Sequence, residues 1–251
     1  MPTDVEAFWE GLSVSGAPRE LVALGGVLEP ATLRAAYRNG AFPWPPSVED
    51  AARHDRSVRR LARRGAVPQL PGTPPGPLVP WVSPQPRAVL LSHRATVPRS
   101  VRQLLRRTGW ETTVDVAFAE VVDRCSERGE GTWITSAMKS AYTALHHEGG
   151  AHSLEVWDGE RLVGGLYGVQ SGRVFSGESM FFVESGASKV ALADLVRRLV
   201  EADVPVLDTQ QASGHLLAMG QVLVHREEYV EVVRALRDQP GVIPTERRSL
   251  L

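Results

Sequence analysis

Leu154-Glu155-Val156-Trp157 runs into Asp158-Gly159, a dipeptide suited to the positive-φ turn of a two-residue hairpin. Arg161 to Val169 returns, Ser171-Gly172 turns again, and Arg173 to Ser176 opens a third strand. Links this short force neighbouring antiparallel strands, so a meander must occupy part of one sheet. The third strand then meets Gly177-Glu178-Ser179-Met180-Phe181-Phe182 and is expected to stop at the glycine. Val174, Phe175, Met180, Phe181 and Phe182 call for burial, and Glu178 is the misfit among them. A carboxylate in such company must be paired, hydrogen-bonded or solvated, because burying it bare is costly. Two placements stay open: the end of the strand, facing water, or the wall of an apolar ligand pocket.

The flanks supply helices. Residues 1 to about 20 are mixed and suggest little order. Leu21-Val-Ala-Leu-Gly-Gly26 is a short apolar run, and Pro30 suits the first position of a helix that stops at Gly40. In Ala41-Phe-Pro-Trp44 proline holds the backbone extended, which leaves Trp44 either as core or as a stacking surface. Between 46 and 80, Arg53, Arg56, Arg59, Arg60, Arg63 and Arg64 precede prolines 68, 71, 74, 75, 77 and 80. A short basic helix and a solvated, extended linker are expected there, dividing residues 1–80 from a larger unit at 81–240 and a tail at 241–251.

From Trp81 onward the pattern is regular. Arg87 to Leu91 suggests a strand, and 97–107 a helix in which Arg99, Arg102 and Arg106 share one face with no acid, Arg107 beside them. An uncompensated arginine stripe suits phosphate. Glu111 to Val114 is a strand, Asp115 is expected to cap the helix with Phe118, Val121, Val122 and Cys125, and Glu130 to Ile134 is a loop. Thr135 caps the helix with Met138, Tyr142 and Leu145. Ser185 or Ser188 is expected to cap a long helix with Leu192, Leu195, Val196, Leu199 and Val200 inward; Val204 to Asp208 is a strand, and a helix from about Glu227 to Leu236 closes the chain. A meander followed by strand-helix-strand is α+β, or mixed α/β, as in the acetyltransferase-type N-acyltransferase fold.

The 28 basic and 29 acidic residues nearly cancel, so bulk charge neither favours nor excludes nucleic acid. One cysteine, Cys125, rules out an intrachain disulfide and a cysteine-rich zinc site and fits a reducing compartment. Asp4, Glu6 and Glu10, with no positive-then-apolar run, suggest no signal peptide, no apolar stretch approaches membrane-spanning length, and a cytoplasmic protein without cofactor or metal is expected.

Taken together, Leu21–Gly26, Ala41–Trp44, Trp81-Val-Ser-Pro-Gln-Pro-Arg87, Glu130-Gly-Thr-Trp-Ile-Thr135, His152–Trp157, Gly177–Phe181, Ala187-Ser-Lys189 and Asp208-Thr-Gln210 resemble the bacterial leucyl/phenylalanyl-tRNA–protein transferases. They follow that family's order over most of 21–230. The resemblance implies an aminoacyltransferase that moves leucine or phenylalanine, with methionine a further admissible donor, from leucyl-tRNA or phenylalanyl-tRNA onto proteins with N-terminal arginine or lysine, marking them for degradation. It also implies a monomer with a small N-terminal domain on an acetyltransferase-like catalytic domain. Carried over by motif, Tyr37, Trp44, Trp133 and Tyr142 surround the terminal adenosine, where aromatic faces stack on a base without a sequence code. Leu166, Phe175, Met180, Leu192, Leu195 and Leu207 form the side-chain pocket, and Arg99, Arg102, Arg106 and Arg107 meet the tRNA backbone. Glu178, Asp208 and Gln210 are the catalytic candidates, with Asp208 the better proton acceptor because an amide is not a base. His215 matches a family histidine with an orienting or structural role.

Two departures stand out: the arginine/proline insertion at about 46–78, and Gln211-Ala-Ser-Gly214 where Val-Leu-Asn-Asp is more usual. A small-molecule acetyltransferase would need a glycine-rich pyrophosphate loop, which Glu184-Ser-Gly-Ala-Ser188 does not supply. The motifs fit a peptidoglycan-type aminoacyl transferase less well. A non-catalytic tRNA-binding protein would need the arginine face, Trp44 and Trp133, but not Asp208 and Gln210.

Overall fold

The computed structural model describes residues 3–46, 51–127 and 132–249, without the side chains of 51–55; Arg53 and the Glu130-Gly131 loop start therefore lie outside the described residues. The amino terminus is more ordered than its composition suggests. Thr3 and Glu6 form a reciprocal capping box at the start of α1 (Asp4–Gly11). Trp9 is fully buried, edge-on to Trp81 with ring centroids 5.6 Å apart. Burying one tryptophan outweighs the polar residues around it.

β1 (Leu21–Leu24), α2 (Pro30–Tyr37) and β2 (Phe42–Pro43) follow, then α3 (Ala51–Arg63). The proline-rich segment is solvated at prolines 68, 71, 74, 75 and 77, but it is anchored rather than a free linker. Leu24 N–H donates to the Pro68 carbonyl at 2.9 Å, Leu70 N–H to Leu24 at 2.9 Å, and Gly25 N–H to Val79 at 2.8 Å. Val67 and Leu70 are buried, the former with Val58 of α3 and Leu24. Prolines cannot donate, but the residues between them can, and these close the edge of β1. β3 (Pro80–Val82) then enters between β1 and β2, so segments on both sides of position 80 share one small antiparallel sheet.

The large sheet takes β4 (Arg87–Leu91), a 3-10 turn at Ser92–Arg94, α4 (Arg99–Thr108), β5 (Glu111–Val114), α5 (Phe118–Ser126) and α6 (Ser136–His147). It continues through β6 (Ala151–Asp158), β7 (Arg161–Ser171), β8 (Val174–Phe182), α7 (Ala187–Glu201), β9 (Val206–Gln210), α8 (Gly214–Leu217), β10 (Val222–Val224), α9 (Arg226–Leu236) and β11 (Arg248–Ser249). The strand order is β10-β4-β9-β8-β7-β6-β5-β11, and only β8 and β9 pair in parallel. α7 is the crossover that a parallel pair requires. It packs on β7, β6 and β8, with α4 against it, while α5 packs on β7, β8 and α6, and α6 in turn on α2. Gly164 of β7 lets α7 come close, since a Cβ there would lie 2.6 Å from that of Ala187. One apolar cluster holds the α5, α6 and N-terminal residues, and a second holds α7 and the strand residues facing it.

Several local expectations are corrected. Asp115 does not cap α5; at φ 63° its carboxylate accepts from the Ser153 amide at 2.9 Å and pairs with His152 at 2.7 Å. α7 starts after left-handed Gly186 rather than at a serine, and Val200 is exposed. β8 does not end at Gly177 but runs on to Phe182, whose ring turns to solvent.

Candidate active site

β8 and β9 are in parallel register from Val174/Val206 to Ser176/Asp208. Beyond that point each strand carries one residue too many for its antiparallel partner. Gly177 faces Gly168 and Ser179 faces Tyr167, so Glu178 is the extra residue of a bulge. Asp208 faces Val89 and Gln210 faces Ala88, so Thr209 is the extra residue of a second bulge. Bulges bend a strand and re-aim its side chains, and a cleft of about 490 Å³ opens where the two strands leave their common register. Leu166, Met180, Leu192, Leu195 and Leu207 line it, with Glu178, Gln210 and His215. The expected pocket residues are thus brought together, except Phe175. That ring is buried, set against Gly168, and lies outside the lining.

Glu178 occupies the wall rather than water. Its carboxylate accepts from the Tyr142 hydroxyl at 2.9 Å and from Gln210 Nε2 at 2.7 Å, and Tyr142 in turn meets the Tyr37 hydroxyl at 2.7 Å. Burial pushes the Glu178 carboxyl up to about 7; hydrogen bonds from Tyr37, Tyr142 and Gln210 oppose the rise and the charge of Asp208 adds to it. The same burial raises both tyrosine hydroxyls well above their ordinary range. A carboxyl that changes charge near neutrality beside an apolar cleft is equipped for proton transfer.

Asp208 sits differently. It is wholly buried and saturated: Oδ1 accepts from Arg87 Nε at 2.8 Å and the Gln210 amide at 2.9 Å. Oδ2 accepts from Arg87 Nη2 at 2.6 Å, Tyr229 at 2.8 Å and Ser176 at 3.1 Å. With five donors and no access to the cleft, it differs from the better proton acceptor that the motif implies. Arg87 lies between the rings of Phe42 (4.8 Å) and Tyr229 (4.4 Å) and donates to the Gly40 carbonyl. Burial disfavours its charge, but Asp208 more than restores it. What Asp208 does hold is the backbone of Gln210, whose φ of 63° is rare for a residue with a Cβ. Gln210 thereby joins two networks, with its amide on Asp208 and its side chain on Glu178.

The other expected groups are spread about this cleft. Tyr37 and Tyr142 are buried and present hydroxyls rather than stacking faces. Trp44 is 36 % exposed, tilted on Phe42, and Trp133 is half-buried. Arg99, Arg102, Arg106 and Arg107 are exposed on α4, away from the lining. Burial and the charge of Lys189 lower the His215 imidazole below its usual value, and Ser213 Oγ lies 3.3 Å from Nδ1. A larger hollow of about 540 Å³ lies between α4 and α7, but none of the three catalytic candidates lines it. Arg87, Ser176, Tyr229 and Gln221, which donates to Thr209 at 2.6 Å, were not foreseen. Arg87 left a signal: a lone charge in the apolar run Arg87-Ala-Val-Leu-Leu91 needs a partner, as Asp208 does after Val-Pro-Val-Leu.

A mixed sheet with a bulge-opened apolar cleft and a carboxyl on its wall has the form of a site for a small, largely apolar ligand. The protein's kind is fixed by its relatives. A family model described as leucyl/phenylalanyl-tRNA protein transferase matches residues 89–234. Proteins named leucyl/phenylalanyl-tRNA–protein transferase include one from Shewanella baltica (strain OS185), 37% identical over 94% of this chain and 90% of its own. Another, from Xylella fastidiosa (strain M12), is 42% identical over 88% and 81%. The chain belongs to this family and is an aminoacyltransferase. Among solved structures, L-PGS from Bacillus licheniformis is similar at 13% identity, TM-score 0.37, over 53% of this chain and 50% of that one.

Proposed function

We propose that the cleft seats the side chain of leucine, phenylalanine or methionine while the amino acid is still esterified to its tRNA, and that Glu178 is the group serving the proton. The observation that carries this reading is the Glu178 carboxyl, raised to about 7 and aimed by Tyr142 and Gln210 into a cleft lined by Leu166, Met180, Leu192, Leu195 and Leu207. Met180 is half-buried and pliable, which suits two side chains of different shape. The acceptor is the α-amine of a protein beginning with arginine or lysine. Its nitrogen attacks the ester carbonyl, the C–N bond forms, and the ester C–O bond to the ribose breaks. Glu178 takes the proton the amine loses and returns it to the ribose oxygen, which leaves as a hydroxyl. Holding both reactants in place supplies much of the rate, since the ester is already activated. Gln210 orients through its amide, and Asp208 with Arg87 positions Gln210.

In this reading residues 1–80 contribute Trp44 and Tyr37, residues 81–240 contribute Tyr142, and Trp133 joins Trp44 on the terminal adenosine. Residues 81–240 contribute the cleft, while Arg99, Arg102, Arg106 and Arg107 meet tRNA phosphates. The enzyme works as a cytoplasmic monomer and marks its acceptors for degradation. The test offers leucyl-tRNA, phenylalanyl-tRNA and acetyl-CoA with an arginine-led and an alanine-led peptide. Transfer from either tRNA to the arginine-led peptide alone is expected. Label arriving from acetyl-CoA but from neither tRNA, or equal use of both peptides, contradicts the reading.

A further inference from the structure

Arg56-Ser-Val-Arg-Arg-Leu-Ala-Arg-Arg64 on α3 and Arg99-Ser-Val-Arg-Gln-Leu-Leu-Arg-Arg107 on α4 agree at seven of nine positions, all four arginines of the second segment included. The two segments also fold alike. Val58, Leu61 and Ala62 turn into one apolar cluster, and Val101, Leu104 and Leu105 into another. Each helix is followed by a left-handed glycine, Gly65 at φ 62° and Gly109 at φ 64°. On the outer face, Arg56, Arg60, Arg63 and Arg64 are exposed, as are Arg99, Arg102, Arg106 and Arg107. Among the described residues none of these eight arginines has an ion-pair partner. Their spacing of i, i+4, i+7 and i+8 puts the four on α3 within one face.

We propose that the exposed arginine face of α3 is a second surface for the sugar-phosphate backbone of the tRNA, distinct from that of α4. This rests on the reading of α4 given above. Four unpaired guanidinium groups on one face of a chain with no net basic excess are matched by a regular polyanion. A nucleic acid is favoured over a lipid surface by position. α3 packs on Leu24 of β1, and Trp44, placed above on the terminal adenosine, follows β2 of the same small sheet. α4 instead packs on α7. An RNA whose end enters beside Trp44 therefore has arginines on both supports.

The test measures affinity for deacylated tRNA between about 50 and 200 mM salt, where each lost phosphate contact flattens the log–log slope by nearly one. Compared are the full chain, an R56Q/R60Q/R63Q/R64Q variant, an R102Q/R106Q variant and, should α3 unfold by circular dichroism, R63Q/R64Q alone. The α3 variant is expected to bind about tenfold or more weakly, with a slope shallower by about two to three. Wild-type affinity and slope in the α3 variant, with both reduced in the α4 variant, overturn the proposal and leave the α4 reading standing. Failure of the unaltered chain to bind tRNA overturns both. Loss of binding to phosphatidylglycerol vesicles with unchanged tRNA binding also overturns it.

Discussion

Arg87 and Asp208 face each other edge to edge, Nε to Oδ1 at 2.8 Å and Nη2 to Oδ2 at 2.6 Å, with both side chains closed to solvent. Two strands, β4 and β9, are locked by this pair directly behind the cleft, and the Gln210 backbone hangs from its carboxylate.

Breaking one side of that pair leaves an uncompensated buried charge, which costs about 3–5 kcal/mol. Arg87→Met and Asp208→Asn should each lower stability by roughly that much in urea unfolding. Activity should fall with the folded fraction and with the loss of Gln210 geometry. Full stability of the Asp208→Asn protein together with lost transfer would return Asp208 to a chemical role.

Glu178, in its proposed role, should set the pH profile of transfer. Its carboxyl is raised to about 7, so the transfer rate should climb with pH through that value as the carboxylate forms. Glu178→Gln should remove that limb and cost about 10²–10⁴-fold in rate. The linkage has the opposite sign: a carboxyl that holds its proton more tightly when folded loses stability as pH rises from about 4.5 to about 7. Unfolding curves of Glu178→Gln should be flatter across that window. An unaltered rate profile in the variant rules out Glu178 as the titrating group.

Tyr142 should act through its hydrogen bond to Glu178 rather than through its ring face. Tyr142→Phe should move the apparent pKa of the rate upward, since a hydrogen bond to the carboxylate is lost, with little change in affinity for an aminoacyl-adenosine mimic. Trp133→Ala should instead weaken that mimic by about 1–3 kcal/mol. A reversed pattern would give the ring of Tyr142 the stacking role.

Met180→Ala should widen the cleft proposed for the donor side chain. Transfer of leucine and phenylalanine should fall about tenfold or more, because each missing apolar contact is worth about 1–3 kcal/mol. tRNA affinity should hold, as measured by the same salt titration. Equal loss of transfer and tRNA binding would remove Met180 from the pocket.

Much of this molecule is written in local chemistry. The hairpins at Asp158-Gly159 and Ser171-Gly172 follow from turn residues that act within four positions, so the meander could be read off the chain. The Thr135 cap was legible for the same reason, its side chain accepting from Met138 N–H. The pocket residues came from matching motifs and do meet, apart from Phe175.

What the chain alone did not disclose depends on partners distant in sequence. Nothing near Glu178 announces that β7 is one residue short opposite it, so neither its bulge nor its aim into the cleft was foreseeable. Asp208 reads as the better proton acceptor in its motif because Arg87 lies 121 residues away and Tyr229 on a distant helix. The exposed prolines 68–77 gave no sign of the segment's anchoring, because its carbonyls and amides find β1 only when the sheet assembles. Residue type and spacing settle turns, caps and helix faces, since these are decided by neighbours along the backbone. Charge state and strand register are decided by burial and by what lies across the sheet, and only the assembled chain supplies those.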